Sequence, residues 1–158
     1  FPSNFGKQLS KEDLANQLRQ ALIRIELGDI EEQLVALGSF KQSSQFKIAA
    51  GDLTGRFDIS AVSQQLTDVA EVIVEYLLQF AWRETVAKYG VPKGCEEGLA
   101  SGFLVLGYGK LGGDELGYGS DLDLVFLYQG DYFNIDSVRL FWRPLSSIRG
   151  KTYKPKQL

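Results

Sequence analysis

The residues with most chemistry to offer are Asp121 and Asp123, in the run Ser120-Asp121-Leu122-Asp123-Leu124. In an extended chain side chains alternate, so both carboxylates share one face while Leu122 and Leu124 point into a core. Like charges held that close repel unless a proton or a cation neutralises them. A hard divalent cation suits oxygen ligands, and Mg²⁺ beside a polyphosphate needs only a few protein carboxylates. The simpler alternative is a pair of acids on a solvent-facing edge strand, where they discourage pairing with other chains. An EF-hand calcium loop is excluded, because counting from Asp121 its required Gly and Glu positions fall on Phe126 and Tyr132.

Directly before the acids stand Gly107, Gly109, Gly112, Gly113, Gly117 and Gly119, with Lys110 among them. Gly107-Tyr-Gly109-Lys-Leu-Gly112 matches the dinucleotide fingerprint G-x-G-x-x-G, but that fingerprint requires a full crossover helix before the next strand. Only residues 113–120 are available for one, and two more glycines interrupt them. A P-loop fails as well: its first glycine would fall on Leu104 and its Ser/Thr on Leu111. What remains is a glycine-rich turn between two nearby strands. It either serves tight turns alone or lets backbone amides approach an anion. Followed at once by Asp-x-Asp, it suits attack of a hydroxyl on a nucleotide α-phosphate. Metal would sit on Asp121 and Asp123, Lys110 would offset phosphate charge, and Ser120 would donate to a phosphate oxygen.

Two apolar runs flank this turn and read as strands, Phe103-Leu104-Val105-Leu106 before it and residues 122–127 after it. Upstream the period is helical. Ser10 and Asp13 form a capping-box pattern ahead of Leu14, Leu18, Ala21, Leu22 and Ile25. Asp29 caps a second helix bearing Ile30, Leu34 and Leu37, which Gly38-Ser39 either interrupts or bends. Ser60 is the expected cap of a long helix whose broad apolar face includes Val62, Leu66, Val69, Ile73, Leu77 and Phe80, stopped by Gly90 and Pro92. Phe80 and Trp82 read as packing residues rather than a ligand cage. So much apolar helix surface requires partner helices, which predicts an antiparallel bundle. The predicted class is α+β. Residues 1–93 form a helical region, and 94–136 open a mixed sheet. Residues 137–158 are an atypical tail, for which disorder is one reading.

The bulk numbers narrow the chemistry further. The chain has 158 residues, 44% of them hydrophobic and 23% charged, which fits a protein that buries a core. A net charge of −3 disfavours a binder of nucleic-acid backbones. No apolar run is long enough to cross a bilayer and no signal peptide is evident, so a cytoplasmic location is the default expectation. One cysteine, Cys95, and no histidine exclude an internal disulfide, a cysteine zinc cluster and Ser-His triads. Methionine is absent even at position 1, which leads to the expectation of a fragment or a processed product.

The run Gly107-Tyr-Gly-Lys-Leu-Gly-Gly-Asp-Glu-Leu-Gly-Tyr-Gly-Ser-Asp-Leu-Asp-Leu-Val-Phe-Leu127 resembles the signature of the bifunctional glutamine synthetase adenylyltransferases, members of the DNA polymerase β-like nucleotidyltransferase superfamily. Residues 40–55 and 79–90 look similar too, and the resemblance covers roughly 14–127. It implies a polymerase β-like mixed sheet, ATP as substrate, and Mg²⁺ on Asp121 and Asp123. The Gly112-Gly113 turn would face the phosphates. It also implies glutamine synthetase as partner, with the nitrogen-signalling PII protein as a further candidate. Such enzymes carry one domain that adds AMP to a tyrosine hydroxyl and one that removes it. The Gly-Tyr-Gly-Lys and Glu-Leu-Gly-Tyr wording is closer to the adding, C-terminal domain. A removing domain, a non-catalytic docking module and an inactive remnant stay open as alternatives. The family's later third acid and Arg-Leu-Arg-Pro are only echoed by Asp136, Arg139-Leu140 and Arg143-Pro144, too early and at the wrong spacing. From Ser137 the chain looks unlike the family, and a shifted reading frame is one expectation for that stretch. A sheet without its later strands would leave the metal site incomplete, so little adenylylating activity is expected of this chain alone.

Overall fold

The structure is a computed structural model that describes residues 8–91 and 103–128. Helix α1 spans Lys11–Leu22, α2 Ile30–Leu53 and α3 Ile59–Tyr89; strand β1 spans Phe103–Tyr108, the short helix α4 Gly109–Gly112, and β2 Asp123–Tyr128. Helices followed by a strand pair agree with the α+β expectation. The described sheet has two antiparallel strands. The expected tail from 137 and the Asp136 to Pro144 echo lie outside the described residues, as do Pro92 and Cys95.

Local chemistry explains where the helices begin and end. The Ser10 hydroxyl accepts the Asp13 amide at 3.1 Å, and the Asp13 carboxylate accepts the Ser10 amide at 3.2 Å, completing the capping box of α1. Asp29 caps α2 by accepting the Glu32 amide at 2.9 Å. Gly38 and Ser39 do not break α2, which runs unbroken for 24 residues. A glycine in a helix costs about 1 kcal/mol, less than packing on either side returns. The helix closes instead at Gly55, whose φ of +67° lets Arg56 N–H reach the Gly51 carbonyl at 2.9 Å. Asp58, rather than Ser60, caps α3, taking the Ala61 amide at 2.7 Å. Both residue types make good caps; Asp58 follows the turn left by Gly55 and is reached first. Gly90, at φ +81°, ends α3 as expected and donates to Val86 O.

The chain divides into two compact units, one of Phe1–Leu77 with Lys110–Asp121, the other of Leu78–Gly109 with Leu122–Leu158. In the first, the buried core is Leu14, Leu18 and Leu22 of α1, Leu37, Phe40 and Ile48 of α2, and Val62, Leu66, Val69 and Val72 of α3. Each such side chain contributes about 1.5–3 kcal/mol of burial. Ile30 and Leu34, expected on the inner face of α2, are about half exposed; Gln33 is buried in their place. Gln33 Nε2 donates to the Glu26 and Leu27 carbonyls, and its Oε1 accepts the Tyr76 hydroxyl at 2.6 Å. That polar knot closes the α1–α2 connection. In the second unit Phe80 is buried, matching its reading as a packing residue. The Phe103 and Phe126 rings meet diagonally across the strand pair, 6.0 Å between centroids.

Candidate functional site

The glycine segment begins where β1 ends. Strands β1 and β2 pair antiparallel in a register that sets Tyr108 opposite Asp123 and Gly107 opposite Leu124. A parallel crossover is therefore absent here, in agreement with the rejection of the dinucleotide fingerprint. Gly109 turns the chain with a φ of +59°, a conformation that favours glycine. A second reason for glycine is space: a Cβ at 109 would stand 2.7 Å from Asp123 Oδ2. The backbone of the turn thus lies against the carboxylate of the first residue of β2.

Beyond Gly109 the chain makes one helical turn, α4, which the sequence pattern did not announce. Asp114 takes the left-handed position at φ +52°, and Glu115 N–H returns to the Lys110 carbonyl at 2.9 Å, a Schellman-type closure. Asp is among the few non-glycine residues that tolerate this region. Leu111 and Leu116 are buried, at 8% and 6% exposure, and anchor the loop 110–121 in the unit that contains α1 and α2. A tighter turn follows: Gly117 N–H donates to Ser120 Oγ at 2.9 Å, and Ser120 N–H to Gly117 O at 3.1 Å.

Among the residues singled out in the sequence, Lys110, Gly112 and Gly113 are exposed on or just after α4, and Ser120 is half-buried. Asp121 is exposed in the segment before β2, and Asp123, also exposed, opens the strand. Only Asp123 of the two acids lies in a strand, so the alternation argument covers it and not Asp121. The Ser120 oxygen accepts one amide, and its hydroxyl proton is left to donate. Among the described residues no group of three or more acidic, cysteine or histidine side chains is gathered as a metal cage. Nor is any helix among them long and apolar enough to cross a membrane.

Sequence reasoning missed the residues that hold the loop. The Tyr118 hydroxyl donates to Asp52 Oδ2 at 3.1 Å, and Gln45 Nε2 donates to the Tyr118 carbonyl at 3.3 Å. Burial, and then the hydrogen bond and charge of Asp52, hold the Tyr118 phenol above its ordinary value. A signal existed: Tyr118 and Asp52 both lie in stretches whose wording resembles the adenylyltransferases.

A family model described as glutamate-ammonia ligase adenylyltransferase matches residues 2–141. Curated relatives named bifunctional glutamine synthetase adenylyltransferase/adenylyl-removing enzyme are similar over most of the chain. The Shewanella oneidensis protein is 48% identical over 128 residues, 81% of this chain and 13% of the relative. The Shewanella woodyi protein is 50% identical over 127 residues, 80% of this chain and 13% of the relative. The Pseudomonas putida protein is 47% identical over 120 residues, 75% of this chain and 12% of the relative. The chain thus spans about 13% of the length of the curated relatives it matches.

Proposed function

Because the chain belongs to the glutamate-ammonia ligase adenylyltransferase family, we propose that residues 107–127 form the phosphate- and metal-facing part of a nucleotidyltransferase site. The reaction is transfer of AMP from ATP to a tyrosine hydroxyl of glutamine synthetase. The observation that carries this reading is the continuity of loop and acids: a glycine turn whose backbone lies against Asp123, leading within one segment to Ser120 and Asp121. The surrounding sheet is then the opening of a polymerase β-like fold, in a cytoplasmic enzyme that answers to nitrogen signals, with PII as a candidate regulator.

The donor set fits Mg²⁺, since two exposed carboxylates suffice for an ion that takes its other ligands from phosphate and water. Mg²⁺ held by Asp121 and Asp123 would offset the charge between nucleophile and phosphates and stabilise the leaving pyrophosphate. The chain's own groups supply position and charge. Lys110 offsets phosphate charge, the Gly112 and Gly113 backbone leaves room for phosphate oxygens, and the Ser120 hydroxyl donates to one of them. The tyrosine oxygen bonds to the α-phosphorus as the bond to pyrophosphate breaks, and the hydroxyl proton passes to solvent.

Calorimetric titration of ATP with Mg²⁺ tests the proposal, with Asp121→Asn, Asp123→Asn alongside. Metal-dependent binding lost in the variant is expected; binding that survives it would refute the assignment of these carboxylates. The names of the relatives also cover AMP removal, which favours one second reading. A removing domain attacks AMP-tyrosine with phosphate, so substituting the two matching aspartates in a full-length relative would select it if the phosphate-dependent activity were lost and the ATP-dependent one kept.

A further inference from the structure

Tyr118 is held at both of its ends by one helix. Its carbonyl accepts from Gln45 and its hydroxyl donates to Asp52. Those two residues stand two turns apart on the same side of α2, about 10 Å along its axis. Asp52 is otherwise misplaced. It lies in the last turn of α2, which contains no basic residue, where the helix dipole disfavours a negative side chain. Nothing in α2 alone rewards an acid there; the Tyr118 hydroxyl does. The same loop is also fixed by buried Leu111 and Leu116 and by the Gly117–Ser120 turn, all within the unit that contains α2. Tyr118 comes two residues before Ser120 and three before Asp121, so its placement sets where those groups emerge.

We propose that Asp52 and Gln45 are positioning residues which, through Tyr118, hold the loop 110–121 in the conformation that receives the nucleotide phosphates. The part concerning nucleotide rests on the function proposed above; the tether itself does not. A hydroxyl-to-carboxylate bond at the surface is a modest restraint, so its loss should loosen the loop without unfolding the helices.

Two measurements on the full chain separate these parts. Amide hydrogen exchange without nucleotide reads the loop against α1. In Tyr118→Phe and Asp52→Ala, exchange across 110–121 is expected to rise about fivefold while α1 is unchanged. Asp52→Asn, which keeps an acceptor oxygen, should recover most of the protection. Titration with ATP and Mg²⁺ should then show a matching weakening of about fivefold, again recovered by Asp52→Asn. Loop exchange in Tyr118→Phe equal to that of the unaltered chain would overturn the tether. So would an Asp52→Asn variant as loose as Asp52→Ala. If the unaltered chain binds no nucleotide, the proposed function falls while exchange still decides the tether. If nucleotide binds equally to all variants despite a loosened loop, the positioning role falls and the function stands.

Discussion

Gly109 concentrates two requirements in one residue, a left-handed backbone and room for a carboxylate. Alanine there costs about 1–2 kcal/mol for the backbone alone, and its methyl group must displace the Asp123 side chain. Gly109→Ala is therefore expected to lower the free energy of urea unfolding by that order and to weaken nucleotide binding further than stability alone explains. Unchanged binding in a folded variant would show that the carboxylate need not sit where it does. Tyr118 and Lys11 give a second expectation. Burial and Asp52 hold the Tyr118 phenol above 10.0, and the hydrogen bond to Glu71 is the main cause that holds Lys11 above 10.5. Each group binds its proton more tightly folded than unfolded. Their stabilisation is complete below those values and is lost as pH rises through the folded-state ones. The urea midpoint should fall as pH climbs past 10.0 and then 10.5, less steeply in Tyr118→Phe. Identical slopes would remove Tyr118 from the account. The Lys11–Glu71 pair is half-exposed and contributes little at neutral pH.

At the scale of elements, the capping box of α1 and the Gly90 stop were legible because each is built from residues adjacent in sequence. Gln33 was not. Apolar periodicity counts a glutamine as surface, whereas its partners, the carbonyls of Glu26 and Leu27 and the Tyr76 hydroxyl, become neighbours only after folding. Gln33→Ala is expected to destabilise by about 3 kcal/mol, since it removes three hydrogen bonds and a buried side chain, and Tyr76→Phe by about 1 kcal/mol. Urea unfolding followed by circular dichroism reads both, and a near-neutral Gln33→Ala would mean that water replaces the amide without loss. The two strands were read from their apolar runs, and the shortness of the segment between them excluded a parallel crossover; the antiparallel register itself emerged only from the structure. Helix α4 was hidden because its four residues, Gly109–Gly112, include two glycines, the usual sign of a turn. The glycine turn could be read from spacing alone, but the tether to α2 joins positions far apart in the chain, which no local pattern records.

For the molecule as a whole, the order of helices before strands was enough to give the class. The division into compact units was not readable, because it falls within one uninterrupted helix. Val62, Gln65, Leu66, Thr67, Val69 and Val72 of α3 are buried, whereas residues 81–89 contain no buried position. Hydrogen exchange should therefore be slower over 62–72 than over 81–89, although both stretches belong to the same helix. Equal protection along α3 would mean that the helix opens as one body.

The acid at the end of α2 ties the fate of two distant codons together. With Tyr118 present, Asp52 offsets its poor electrostatic placement by accepting a hydroxyl. Once that hydroxyl is gone, the acid is a pure liability and a neutral or basic residue becomes the fitter choice. Lineages of this family should then inherit the two residues as a pair, with asparagine the substitute for Asp52 that still accepts the tyrosine hydroxyl.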